Sequence, residues 1–157
     1  MSISINQNSE FMPIVLLHDC EYMLRKTFAL LAAEMRAAKV IETSELNLAR
    51  EKLTSHKFDM VILGFDKWSE EIHLIQLIKT GMTESDKNIP IIAMVPNITS
   101  EQFNELKSLG INEILLKPAR IKTIQEAFVS SLDKIHVDRL KKTHENDLEQ
   151  ILVNSYQ

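Results

Sequence analysis

The chain has 157 residues, of which 45% are apolar and 25% charged, with a net charge of −4 and a single cysteine, Cys20. Those figures suit one ordinary water-facing domain with a full apolar core. They exclude an internal disulfide and give no support for broad nucleic-acid or anionic-membrane binding. No apolar run is long enough to span a bilayer, and the first residues lack the basic start and apolar centre of a signal peptide, so a cytoplasmic protein is expected.

Residues 1 to about 12 are polar and are expected to be loose at the start. Ile14-Val15-Leu16-Leu17 reads as a buried strand ending in His18-Asp19-Cys20. Leu24, Phe28, Leu31 and Met35 then recur at helical spacing and predict a first helix. A short second strand, Val40-Ile41, leads to a helix carrying Leu46, Ala49 and Leu53. The third strand, Met60 to Leu63, is an unbroken apolar run that opens straight onto Gly64, Phe65 and Asp66.

A third helix is predicted from about Ser69 to Thr80, with Gly81 suited to its end. After a polar loop, Pro90 begins a fourth strand running to Val95, where its missing donor matters least. Thr99 and Gln102 have the spacing of a capping box, and Gly110 closes the helix that box opens. Ile114-Leu115-Leu116 is the fifth strand, followed by Lys117-Pro118 and a helix with Ile121, Ile124, Phe128, Leu132 and Ile135 in phase. Five strands alternating with five helices predict an α/β fold, a parallel sheet covered on both faces.

Beyond Ile135 the pattern changes phase. Val137, Leu140, His144, Leu148 and Ile151 form a new stripe among charges, with no Pro or Gly to stop the helix. The segment either prolongs the fifth helix or forms a sixth, and its stripe packs on its own domain or on a partner.

Asp19 after the first strand, the loop after the third and Leu115-Leu116-Lys117-Pro118 after the fifth together resemble the CheY-like receiver domain of bacterial response regulators. The resemblance covers residues 13–134, with 1–12 as an N-terminal tail and 135–157 as a helical extension. It implies a doubly wound, flavodoxin-like sheet in the order 2-1-3-4-5. Receivers end their first strand with two acidic residues that help hold Mg²⁺; the matching positions here are His18 and Asp19. The phosphoryl-accepting aspartate falls at Gly64, the hydroxyl residue after strand four at Val95, and the aromatic switch residue at Ile114, while Lys117 is retained. These departures are similar to those of the pseudo-receiver branch of the family.

Phosphoryl transfer to a protein needs an in-line nucleophilic oxygen and cations to neutralise developing charge. Gly64 supplies no side-chain oxygen, Asp19 alone is a weak claim on octahedral Mg²⁺, and Val95 donates nothing. Hence no catalytic residue, no metal and no cofactor are expected, and the chain is read as a non-enzyme. Asp66 is the one alternative acceptor, displaced by roughly 6 to 7 Å along the strand; otherwise it caps the third helix or pairs with Lys117. A Lys117–Asp19 pair is expected to be structural, so that Lys117→Ala lowers stability without affecting any turnover.

His18, Asp19 and Cys20 have metal-ligand chemistry, but three consecutive residues at a strand end point different ways, and a structural histidine is the preferred reading. Cys20 has no basic motif beside it to mark a reactive thiol. His73 and His144 are read as surface histidines. Trp68 is expected to plug the empty position beside Gly64 or to anchor a partner.

The function expected is a phosphorylation-independent protein-interaction module of two-component signalling, acting on a signalling kinase or regulator, on a second copy of itself, or both. The resemblance places its contact face on the fourth helix, fifth strand and fifth helix, at Gln102, Phe103, Leu106, Ile114, Ile121 and Ile124. The alternatives are a working receiver using Asp66, or a small-ligand sensor in a vacant pocket between Asp19, Gly64, Val95 and Lys117. Neither nucleic acid nor membrane is expected as a partner.

Overall fold

The structure is a computed structural model that describes residues 11–111 and 113–155. Residues 1–10, which hold most of the tail expected to be loose, lie outside the described residues. The elements run β1 (Ile14–His18), α1 (Tyr22–Met35), β2 (Lys39–Thr43), α2 (Leu46–Ser55), β3 (Met60–Gly64), α3 (Ser69–Lys79), β4 (Ile91–Val95), α4 (Ser100–Ser108), β5 (Glu113–Leu116) and α5 (Ile121–Ser155). All pairings are parallel, in the order β2-β1-β3-β4-β5. This is the doubly wound, flavodoxin-like sheet expected of the sequence.

Alternate residues of the central strands serve opposite faces, as a two-residue period requires. Leu16, Val61, Leu63, Ala93 and Val95 pack under α2, α3 and α4. Val15, Leu17, Ile62, Ile92 and Met94 pack under α1 and α5, where Phe28 and Phe128 meet edge to face with ring centroids 6.5 Å apart. Strands β3 and β4 are buried at every position, which is why they read as unbroken apolar runs.

The capping box at Thr99 is present: its hydroxyl accepts from the Gln102 amide and the Gln102 side chain accepts from the Thr99 amide. Helix α5 continues without a break past Ile135, so the segment with the shifted stripe prolongs the fifth helix. Its last buried apolar residue is Ile135; residues 137–153 are exposed.

Candidate functional site

The carboxyl ends of β1 and β3 and the loop after β5 converge on Asp19. The ladder carries on just past the strands: the Asp19 amide donates to the Thr43 carbonyl (3.2 Å) and the Lys117 amide to the Val95 carbonyl (2.7 Å). These bonds hold the Asp19 and Lys117 backbones at the same edge. The Lys117 ammonium lies 2.7 Å from Asp19 Oδ2 and 3.4 Å from Glu21 Oε1. Asp19 Oδ1 accepts from the Glu21 amide at 2.8 Å, and the Asp19 carbonyl accepts from Arg25 at 2.7 Å. Asp19 is 1% exposed, and Lys117 is its ion-pair partner among the described residues.

Gly64 explains how the carboxylate fits. A Cβ placed on Gly64 would overlap Asp19 Oδ2 and lie 2.5 Å from its Cγ and 3.0 Å from its Cβ. The position that a side chain on Gly64 would take is therefore filled by Asp19 and not by Trp68. Any side chain at position 64 excludes Asp19 from its present position.

Burial alone would lower the Lys117 pKa, but the hydrogen bond and charge of Asp19, helped by Glu21, outweigh it and hold the ammonium above its ordinary 10.5. His18 is buried, with Nδ1 3.0 Å from the Thr43 hydroxyl. Burial pulls its pKa below 6.5, against the smaller upward pulls of Asp19 and Glu71. Burial pushes the Cys20 thiol up, and the Asp19 and Asp66 carboxylates push it further, which disfavours the thiolate. His73 and His144 are exposed.

This donor set does not fit Mg²⁺. The ion wants several oxygen ligands in octahedral array. One Asp19 oxygen is held by an ammonium and the other by a backbone N–H, His18 is turned onto Thr43, and Gly64 offers no side-chain oxygen.

Three expectations need correcting. Asp66 neither caps α3 nor pairs with Lys117; its exposed side chain makes no hydrogen bond or ion pair among the described residues. No side chain caps α3 among the described residues; instead Glu71 Oε1 secures the preceding loop, accepting from the amides of Asp66 (2.5 Å) and Lys67 (2.8 Å). A residue one turn inside the helix reaches back over the loop, which the side chain of Asp66 within that loop does not do. Trp68 packs on Phe65, with centroids 4.9 Å apart, and donates from Nε1 to Glu105 of α4 at 3.1 Å. Its contacts tie α3 to α4. Within the expected contact face, Leu106 and Ile124 are core residues that no partner can touch, because helical periodicity turns them onto the sheet. Phe103, Leu116 and Ile121 are exposed there instead, with Gln102 and Ile114 partly so.

Glu71, Glu21 and Arg25 were missed by sequence reasoning. Glu71 alone left a signal, an acidic residue in the first turn of a helix.

A hollow of about 510 Å³ opens on the α2–α3 side of the Asp19 cluster, lined by His18, Gly64, Asp66, Arg50 and Glu71 among others. Val95 and Lys117 do not line it, so it differs from the pocket expected. Glu71 Oε2 and Arg50 Nε are buried without hydrogen-bond partners among the described residues.

No family model matches this chain, and no curated protein matches it. Solved structures do. The chemotaxis protein CheY4 of Vibrio cholerae is 18% identical, with a TM-score of 0.64 over 77% of this chain and 99% of that one. A response regulator of Thermotoga maritima is 18% identical, with a TM-score of 0.67 over 78% and 99%. A signal receiver domain of a histidine kinase from Clostridium thermocellum is 17% identical, with a TM-score of 0.69 over 78% and 98%. The fold is that of a receiver domain. The match takes in nearly all of each neighbour, and about a fifth of this chain lies outside it. Among the described residues no helix is long and apolar enough to cross a membrane.

Proposed function

We propose that this chain is a receiver-fold module of two-component signalling that works through protein contact and takes up no phosphoryl group. The signalling role comes from its likeness to response regulators and a chemotaxis protein. On this reading Gly64 stands where a receiver carries its acceptor, His18 replaces one acidic residue, Val95 replaces the hydroxyl and Ile114 the aromatic switch. The body is residues 13–134, and residues 135–157 form the extension.

The observation that carries the reading is the Asp19 carboxylate lying where a side chain at position 64 would have to be, tied to Lys117 at 2.7 Å. On this reading one buried ion pair, in which the retained Lys117 is engaged, stands in place of nucleophile and metal site. The fixed pair favours a single state of this edge, so information passes through surfaces such as Phe103, Leu116 and Ile121, with a signalling kinase or regulator as the partner class.

The test is to incubate the protein with Mg²⁺ and a small phosphodonor and weigh it. An unchanged mass is expected. A gain of one phosphoryl group that Asp66→Asn abolishes would establish Asp66 as the acceptor and overturn the proposal.

One observation favours a second reading. The hollow beside Gly64 presents a buried unpaired acceptor, Glu71 Oε2, and a buried unpaired donor, Arg50 Nε. A small ligand bearing both a donor and an acceptor would satisfy them once the Arg50 and Glu71 side chains turn toward the hollow. A thermal-shift screen with nucleotides and small anions tests it; stabilisation that Glu71→Gln removes would support a sensor.

A further inference from the structure

The α5 extension carries a symmetry that nothing in the receiver-like body requires. Val137 and Leu140 lie seven and four residues before His144; Leu148 and Ile151 lie four and seven after it. At 3.6 residues per turn, Val137 and Ile151 fall within about 20° of His144 around the helix, and Leu140 and Leu148 within about 40°. The five share one narrow face, and all five are exposed.

That face points away from the body. Ile135, the last buried apolar residue of α5, lies about 180° from His144 around the axis. Lys142 and Arg139, on the rear of the extension, reach back to the body: Lys142 to Asp86 at 3.9 Å, and Arg139 over the Phe11 ring at 3.6 Å. A helix approaching the stripe from the front therefore meets no part of the molecule's own sheet.

We propose that residues 137–151 pair antiparallel with the same segment of a second copy, about a twofold axis beside His144. The proposal starts from the protein-contact reading above and names the partner. In this arrangement Val137 shares a layer with Ile151 of the second copy, Leu140 with its Leu148, and His144 with its own counterpart. An isologous interface requires this self-complementarity.

Charge selects the direction. The first half of the paired segment holds Arg139, Lys141 and Lys142 against one acid, Asp138; the second half holds Glu145, Asp147 and Glu149. Antiparallel pairing lays basic on acidic and brings Lys141 alongside Glu145 of the other copy, whereas parallel pairing lays like on like. The polar His144 at the centre of an otherwise apolar stripe fixes register, as a single polar residue does in coiled coils.

The experiment uses the full chain in a Cys20→Ser background. Sedimentation over a dilution series is expected to show a species of twice 18.0 kDa. An equimolar mixture of Val137→Cys and Ile151→Cys variants should then oxidise to a 137–151 cross-link. Leu148→Asp, at an exposed position that the fold does not depend on, should weaken association by roughly tenfold or more. Lys141→Glu should weaken it too, and adding Glu145→Lys should restore it. A mass of 18.0 kDa at every concentration, cross-links only of 137 to 137 and 151 to 151, or a dimer indifferent to Leu148→Asp would each overturn the proposal. None of these outcomes bears on phosphoryl uptake, which the mass measurement above decides separately.

Discussion

Asp19 and Gly64 are two halves of one arrangement. A buried carboxylate is tolerated only where an opposite charge and hydrogen bonds meet it, and the carboxylate meets Lys117 only because Gly64 leaves the room. Gly64→Ala should therefore cost about 1–3 kcal/mol, the usual cost of overpacking. In an Asp19→Ala background the same change should cost clearly less, since the atom it collides with is gone. Chemical denaturation of the four proteins of this cycle reads the coupling; additive effects would mean that the two positions do not compete.

His18 gives the pH response of the same edge. Its folded pKa lies below the 6.5 of the free side chain, chiefly through burial. Below 6.5 the unfolded chain binds a proton that the folded chain refuses, so stability present above 6.5 is lost as pH falls toward the folded value. His18→Gln should flatten that part of the stability curve, as followed by denaturation midpoints on either side of 6.5. The Lys117 pair works in the other direction: with its pKa raised above 10.5, its contribution is full below 10.5 and fades only as pH rises past the folded value.

The connection from β3 to α3 shows how an element is secured without a cap of the usual kind. Trp68, the residue before the helix, has φ +47°, a conformation that costs a non-glycine residue strain. Its ring contacts with Phe65 and Glu105, and the Glu71 carboxylate over the loop amides, hold it there. Glu71→Ala should leave the Asp66 and Lys67 amides unpaired and cost about 1–3 kcal/mol. Hydrogen exchange at those two amides should quicken while exchange in β3 stays unchanged as the reference; unchanged exchange at both would show the Glu71 contact to be dispensable.

Helix α5 behaves as two elements joined end to end. Ile124, Ala127, Phe128, Leu132 and Ile135 face the sheet, and from Val137 the apolar residues face outward. Ending the chain after His136 should lower stability by no more than about 1–2 kcal/mol, because contacts such as Lys142 to Asp86 and Arg139 over Phe11 are single surface interactions. Thermal melts of the full and shortened chains compare directly. A collapse of the shortened chain would place the extension within the cooperative core.

The alternation of apolar runs and 3.6-residue stripes made the whole αβα sandwich readable in advance, because periodicity and turn chemistry are local properties of the chain. So were the capping box at Thr99 and the change of phase after Ile135. The meeting of Asp19 with Gly64 and Lys117 was legible only in part: the pair was anticipated, but its seat beside Gly64 was not. Residues 19, 64 and 117 come together through strand order and register, and no local pattern states which atom fills a gap that a missing side chain leaves. The same reason separates Asp66 from Glu71 as the side chain that secures the β3–α3 loop, and Leu106 and Ile124 from Leu116 at the surface. Each choice depends on the direction in which a side chain leaves a packed element, a direction set once the layers have closed around it.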